Sequence, residues 1–302
     1  MRNNRAITIL FITAVIFSLY GVFANILNQK LSFSVLLFYL QLIALIFFVV
    51  SLAVKKINPL TGLKHNLIIL VIFSIVSNLP ILFFNLANKF EKVGTVLTVQ
   101  NSLTIIFALL ASVLFLRERL NFHIKALSSL IIILGLILII KPAEPSNLLG
   151  IFFASLVGIT NGLTNLLRRL FFKKINPYTL GLHKSILGVL VYSVINILQN
   201  EPLIPQLNSG SLLILILYGT LNGITFLMLL YAFGRVPFTL GNLILTLEVI
   251  LGMLTGFIFL GQIINLEQIL ASVIIIAAIY IIKMLEYQEV SLIKATNGTA
   301  HI

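Results

Sequence analysis

The stretch FSVLLFYLQLIALIFFVVSLAV, Phe33–Val54, runs for 22 residues without a charge, a proline or a glycine. A helix rises 1.5 Å per residue, so this segment reaches about 33 Å, enough to cross the hydrocarbon core of a bilayer. It is too long for a strand and apolar on every face, which predicts a transmembrane helix rather than an amphipathic one. Outward from it, charge-free runs recur at 6–27, 67–87, 93–116, 148–167 and 212–233. Residues 178–198 and 236–260 form two more, each with one internal charge, Lys184 and Glu248. Residues 126–140 and 269–282 are shorter, but Lys125, Lys141 and Lys283 can extend to the headgroups, so both are expected to cross. The expectation is an all-α membrane protein of ten transmembrane helices.

Composition agrees with that reading. The 302 residues are 60% hydrophobic and 9% charged, whereas soluble domains carry roughly 25% charged residues. A net charge of +12 would suit a nucleic-acid surface in a soluble protein. Here the charges sit between apolar runs, where cytoplasmic loops collect Lys and Arg, and no nucleic-acid partner is expected. Taking the N-terminus as cytoplasmic, alternate loops divide 20 cations into 15 on that side, four on the other and Lys184 within a helix. Ten spans then return the C-terminus to the cytoplasm. Arg2 and Arg5 precede the first run as they would in a signal peptide, but that run is too long and lacks a small-x-small cleavage site, so it is expected to stay as a helix. The polar tail 287–302 contains Asn297-Gly-Thr299, a glycosylation pattern that no transferase meets on the cytoplasmic side.

Reactive chemistry is sparse. Cysteine is absent, which excludes disulfides, thiolate metal sites and cysteine nucleophiles. Aspartate is absent too, His65, His123, His183 and His301 are scattered, and no phosphate-binding loop occurs. No cofactor, metal or catalytic residue is expected, which disfavours an intramembrane enzyme.

The two halves share an order of features. A shift of 144 places Thr95 on Thr239, Phe115 on Phe259, Leu116 on Leu260, Asn121 on Asn265 and Ser128 on Ser272. Five helices per repeat is odd, so the second copy should insert upside down relative to the first. Val93-Gly-Thr through Phe115-Leu-Arg-Glu-Arg-Leu120, with a short helix ending at Lys141-Pro142, resembles the drug/metabolite transporter superfamily and its ten-helix EamA-like members. Tyr231-Ala, Leu247-Glu-Val and Phe259-Leu-Gly-Gln262 are similar in the second copy, and Ser18-Leu-Tyr-Gly21 is similar to the family's first-helix aromatic–glycine pair. The pattern is altered where Gln262 replaces the corner glutamate, Val249 stands where a proline often follows, and Tyr20 stands for a usual tryptophan. The resemblance implies EamA-like repeats at 1–142 and 143–286. It also implies a central cavity lined by the first four helices of each, with the fifth and tenth outside.

An ionisable group inside a membrane is costly, so Glu248 and Lys184 are candidate cargo or coupling residues. Glu248 lies mid-span on a face with Gly241, Gly252 and Thr255, and Lys184 shares a face with Gly181, Gly188 and Tyr192. Lys184 is about 9 Å into its span at 1.5 Å per residue, close enough to snorkel; a direct pair with Glu248 has to bridge roughly 9 Å of depth. Gln41, Asn78, Asn85, Gln100, Thr104, Asn161, Asn165, Asn222 and Thr225, with Tyr20, either line a wet cavity or join helices by hydrogen bonds. Gly219/Gly223 and Gly252/Gly256 fit close helix packing, and Pro80 should kink the third helix. The leading expectation is a secondary transporter of a small metabolite working by alternating access, with protons as candidate coupling ion. The alternatives are an intramembrane enzyme and an accessory membrane protein without cargo.

Overall fold

Apolar runs bounded by polar caps become helices throughout. Asn176 accepts a hydrogen bond from the Tyr178 amide at 2.9 Å ahead of Pro177, and Asn208 accepts from the Ser211 amide at 2.9 Å, each satisfying an otherwise free donor of a helix start. Gly261, with φ 66°, takes the left-handed conformation that ends a helix. The computed structural model describes residues 2–59, 63–91, 93–116, 122–139, 147–171, 175–201, 207–261, 263–264, 266 and 269–281, and its regular structure there is helix alone. In chain order these are α1 (Arg2–Asn28), α2 (Phe33–Val54), α3 (Leu63–Phe90), α4 (Val93–Leu114), α5 (Phe122–Ile139), α6 (Leu148–Phe171), α7 (Pro177–Leu198), α8 (Ser209–Phe233), α9 (Phe238–Leu245), α10 (Leu247–Leu260) and α11 (Ile269–Ile281). Helices α9 and α10 form one apolar span, Phe238–Leu260. Eight spans are long and apolar enough to cross a membrane, and α5 and α11 contain the two shorter apolar stretches. The Lys141-Pro142 end, the Arg-Glu-Arg corner, Asn121, Gln262, Asn265 and the tail 287–302 lie outside the described residues.

Helix α6 reverses the burial pattern of a helix in a soluble protein. On α6 the buried positions are mainly small or polar, among them Gly150, Gly158, Thr160, Gly162, Thr164 and Asn165, while Leu148, Leu149, Phe152 and Ile159 are exposed. Water would penalise that arrangement, and hydrocarbon favours it.

Most of the extensive packing runs between the halves rather than within them: α3 on α6, α2 on α7, α4 on α6, α1 on α8 and α10, α2 on α8, and α3 on α7. The pattern maps onto itself when the halves are exchanged. The contact of α1 with α8 corresponds to that of α6 with α3, and α4 on α6 corresponds to α9 and α10 on α1. Glycines permit the closest approaches. A Cβ on Gly219 would lie 2.6 Å from Ile43 Cβ and one on Gly223 2.5 Å from Phe47 Cδ1, so this pair seats α8 on α2 as its spacing predicts. Gly252 differs, since its nearest neighbour is Leu97 at an ordinary 3.7 Å. Gly135 abuts Ile275, joining α5 to α11 at the edge of the bundle, where Leu127, Leu130, Leu134, Ile137, Val273 and Ile276 are exposed.

One boundary difference brings charge into the bundle. Helix α6 continues past 167 to Phe171 and so carries Arg168 and Arg169 with it. Pro80 lies inside α3 and removes the amide that would serve the Val76 carbonyl; the Thr164 hydroxyl of α6 approaches that oxygen to 3.3 Å.

Candidate functional site

The junction of α9 and α10 places the acid. Thr246 has φ −63° and ψ −15°, and its amide is shared between the carbonyls of Asn242 at 3.3 Å and Leu243 at 3.2 Å. The Val249 amide then reaches Thr246 O at 3.1 Å, so the helix tightens locally to i−3 pairing and restarts as α10. Glu248 therefore stands in the first turn of α10, where amide dipoles favour a carboxylate. The residue is 8% exposed. Its Oε1 accepts hydrogen bonds from Asn101 Nδ2 at 2.9 Å and Gln100 Nε2 at 3.2 Å, both on α4. An acid of the second half is thus held by amides of the first. Among the described residues nothing donates to Oε2.

A second grouping is cationic. Lys184 is 6% exposed and does not snorkel; its Nζ lies 5.6 Å from the centroid of the Phe226 ring on α8. Arg168, assigned to a loop on sequence grounds, is a correction: it is inside α6 and 9% exposed, with its guanidinium 5.9 Å from the centroid of the same ring. Arg168 Nη1 donates to Asn165 Oδ1, Asn165 Nδ2 donates to Asn242 Oδ1 at 2.7 Å, and Asn242 Nδ2 donates to the Phe238 carbonyl at 2.9 Å. Its neighbour Arg169 turns elsewhere and donates to the Phe233 carbonyl at 2.9 Å. Glu248 and Lys184 are not brought together, because the acid is held by α4 and the ammonium lies over an aromatic ring.

Half of the remaining candidates join helices. Asn78 donates to its own helix at Ser74 O (2.8 Å) and across to Lys184 O (3.0 Å), and the Tyr192 hydroxyl approaches Asn78 O at 3.4 Å. Thr104 donates to Gly158 O at 3.1 Å, and the Tyr20 and Thr225 hydroxyls lie 2.9 Å apart, linking α1 to α8. Asn85 donates within α3, to Ile81 O at 2.8 Å. Gln41 is different: it is wholly buried and neither amide atom has a partner. It abuts Gly188 and Asn78, since a Cβ on Gly188 would meet Gln41 Cγ at 2.6 Å and Asn78 Oδ1 at 3.0 Å. Asn161 and Asn222 are half-buried, and Asn222 Nδ2 is unpartnered. Buried amides normally find partners, so Gln41 marks a place where protein groups alone do not complete the polar network.

Sequence reasoning passed over Arg168, Asn101 and Asn242. A signal existed for the first: Asn161, Asn165 and Arg168 follow the i, i+4, i+7 spacing of one helical face. Among the described residues no group of three His, Cys, Asp or Glu could hold a metal.

The sequence pattern described as the EamA-like transporter family matches residues 4–141 and again 148–284. Comparison with curated proteins gives no match. One of the similar solved structures, described only as "Crystal structure of protein", superposes with a TM-score of 0.80 at 15% identity, covering 94% of this chain and 99% of that chain. At that identity the likeness concerns the fold.

Proposed function

The chain belongs to the EamA-like transporter family, and from that premise we propose that it is a secondary transporter moving a small metabolite by alternating access. The observation that carries this reading is the position of the buried polar groups. The Glu248 carboxylate is held by the side chains of Gln100 and Asn101, and the Asn78 side chain reaches the Lys184 main-chain carbonyl where Gln41 abuts Gly188, so each grouping combines groups from both halves. A relative movement of the halves would therefore make and break the bonds around these groups, which is what a cargo or coupling site between moving bodies requires. In this reading α9 and α10 count as one span and α5 and α11 also cross. The repeats, 1–142 and 143–286, are then inverted five-helix units with both termini in the cytoplasm of a cell membrane. The odd helix number per repeat and the 15 to 4 division of loop cations support it. Glu248 is the proposed site of proton coupling.

The test is reconstitution of the purified full-length chain in liposomes, screened for uptake and exchange against amino acids, nucleobases, sugars, organic cations and organic anions. Saturable movement of one class, absent from empty liposomes, is the expected result. If no class moves while the protein remains folded and inserted, an accessory role without cargo replaces this reading.

A further inference from the structure

We propose that Arg168 and Lys184, set against the ring of Phe226, form a subsite for the anionic group of the cargo, a carboxylate or phosphate ester on a small organic molecule; this rests on the transporter reading. Buried cations are ordinarily balanced by a carboxylate, because removing one from water without a counter-charge is costly. Here two are buried beside one ring and, among the described residues, neither has an acid. The three glutamates with described side chains are engaged or placed elsewhere. Glu248 is held by α4 amides, Glu91 Oε2 accepts from the Asn147 amide at 2.8 Å, and Glu201 lies beyond the end of α7. Two like charges sharing an aromatic neighbour repel each other, and an anion between them would reverse the sign of that interaction.

The surrounding groups suit such an occupant. Arg168 Nε is buried without a partner, so the guanidinium holds an unused donor besides the Nη1 that bonds Asn165. A guanidinium presents the planar fork that carboxylates and phosphates accept from. One turn along α7 from Lys184, the unpartnered amide of Gln41 supplies further donors beside Gly188. Phe226 is held edge-on by Phe48 and Phe73, at centroid distances of 5.7 and 5.9 Å, so an aromatic surface adjoins the two cations and fits the apolar part of the same molecule. Both cations are nine-tenths buried among α6, α7 and α8, which favours an internal solute over a lipid headgroup.

The experiment uses the purified full-length chain in neutral detergent at constant ionic strength, with thermal unfolding as readout. Benzoate and phenyl phosphate are the anionic probes, benzyl alcohol and benzylamine the uncharged and cationic counterparts, and phosphatidylglycerol micelles the lipid arm. Expected is a rise in Tm with at least one anionic probe and none with benzyl alcohol or benzylamine. Lys184→Met and Arg168→Gln should each weaken that response at least tenfold. Without probe, Lys184→Met should melt no lower than the parent, since it removes an uncompensated charge. The inference is overturned if neither anion stabilises the parent, if benzyl alcohol does so equally, or if both variants keep the parental affinity. It is also overturned if phosphatidylglycerol alone stabilises, or if probe-free Lys184→Met melts lower, as loss of a paired structural cation would. Transport confined to neutral or cationic solutes would remove this subsite while leaving the transporter reading intact. Anion binding without transport of any solute would do the opposite.

Discussion

Glu248 is a single acid in a 25-residue apolar run, and that isolation made it legible in the sequence. Its partners were not legible, because Gln100 and Asn101 meet it across 147 or more residues of chain and only the packing of α4 on the second half selects them. If Glu248 carries the coupling proton, Glu248→Gln should fold, retain substrate exchange and lose proton-driven accumulation in liposomes. Accumulation equal to the parent's under the same proton gradient would make the acid structural. The substitution keeps an oxygen where Oε1 accepts from both amides, so its effect on folding should be small. Asn101→Leu acts the other way, since it leaves the acid in place and removes the shorter of its two donors. A buried acceptor that loses such a donor costs about 1–3 kcal/mol, and the expected outcome is a lower Tm in detergent. Arg168 shows a different limit of sequence reading. Arg168-Arg169-Leu-Phe-Phe-Lys-Lys174 looks like the start of a cytoplasmic loop, and only the continuation of α6 to Phe171 turns one arginine inward.

Whole helices were easier to read than single partners, because about 20 apolar residues leave little alternative in hydrocarbon. What composition did not reveal was how closely two helices approach. Gly219/Gly223 and Gly252/Gly256 carry the same spacing, yet Gly219 and Gly223 are both pressed against α2 whereas Gly252 makes only an ordinary contact with Leu97. Gly223→Ala should therefore lower stability by about 1–3 kcal/mol, as overpacking does, whereas Gly252→Ala should change it by less than about 0.5 kcal/mol. Equal melting temperatures for the two variants would show that α8 can move off α2 without penalty. The break at Thr246 was also invisible in sequence, since it involves neither proline nor glycine and shows only in the i−3 bonds around it. Accessibility follows from the same packing. Cysteines placed at Asn161 and Asn222, both half-buried, should react with a water-soluble maleimide and be protected by cargo, while cysteines at Ile133 and Ile275 on the edge helices should not react. Labelling at Ile133 and Ile275 alone would place the aqueous path elsewhere.

Across the molecule, the loop charges make a prediction independent of any packing detail. In this cysteine-free chain, single cysteines at Ser146 and Asn208 should react with an impermeant reagent added to intact cells, and one at Thr61 should not. The reverse pattern would invert the orientation. The repeat was visible as a 144-residue offset, and the two family matches begin at 4 and 148 with the same offset. Its consequence for packing was not visible, because an offset between halves does not say that the halves pack chiefly on each other. That exchange pattern of contacts has an energetic corollary. For any shape in which the halves differ, swapping their roles gives a second shape, and with identical halves the two would be degenerate. The offset places Thr104 opposite Glu248, Leu40 opposite Lys184 and Ala24 opposite Arg168, so the backbone is duplicated but the ionisable groups are not. If the halves exchange shapes as proposed, these three side chains are among the differences that lift the degeneracy, and every 1.4 kcal/mol by which they favour one shape would be about a tenfold bias in its resting occupancy.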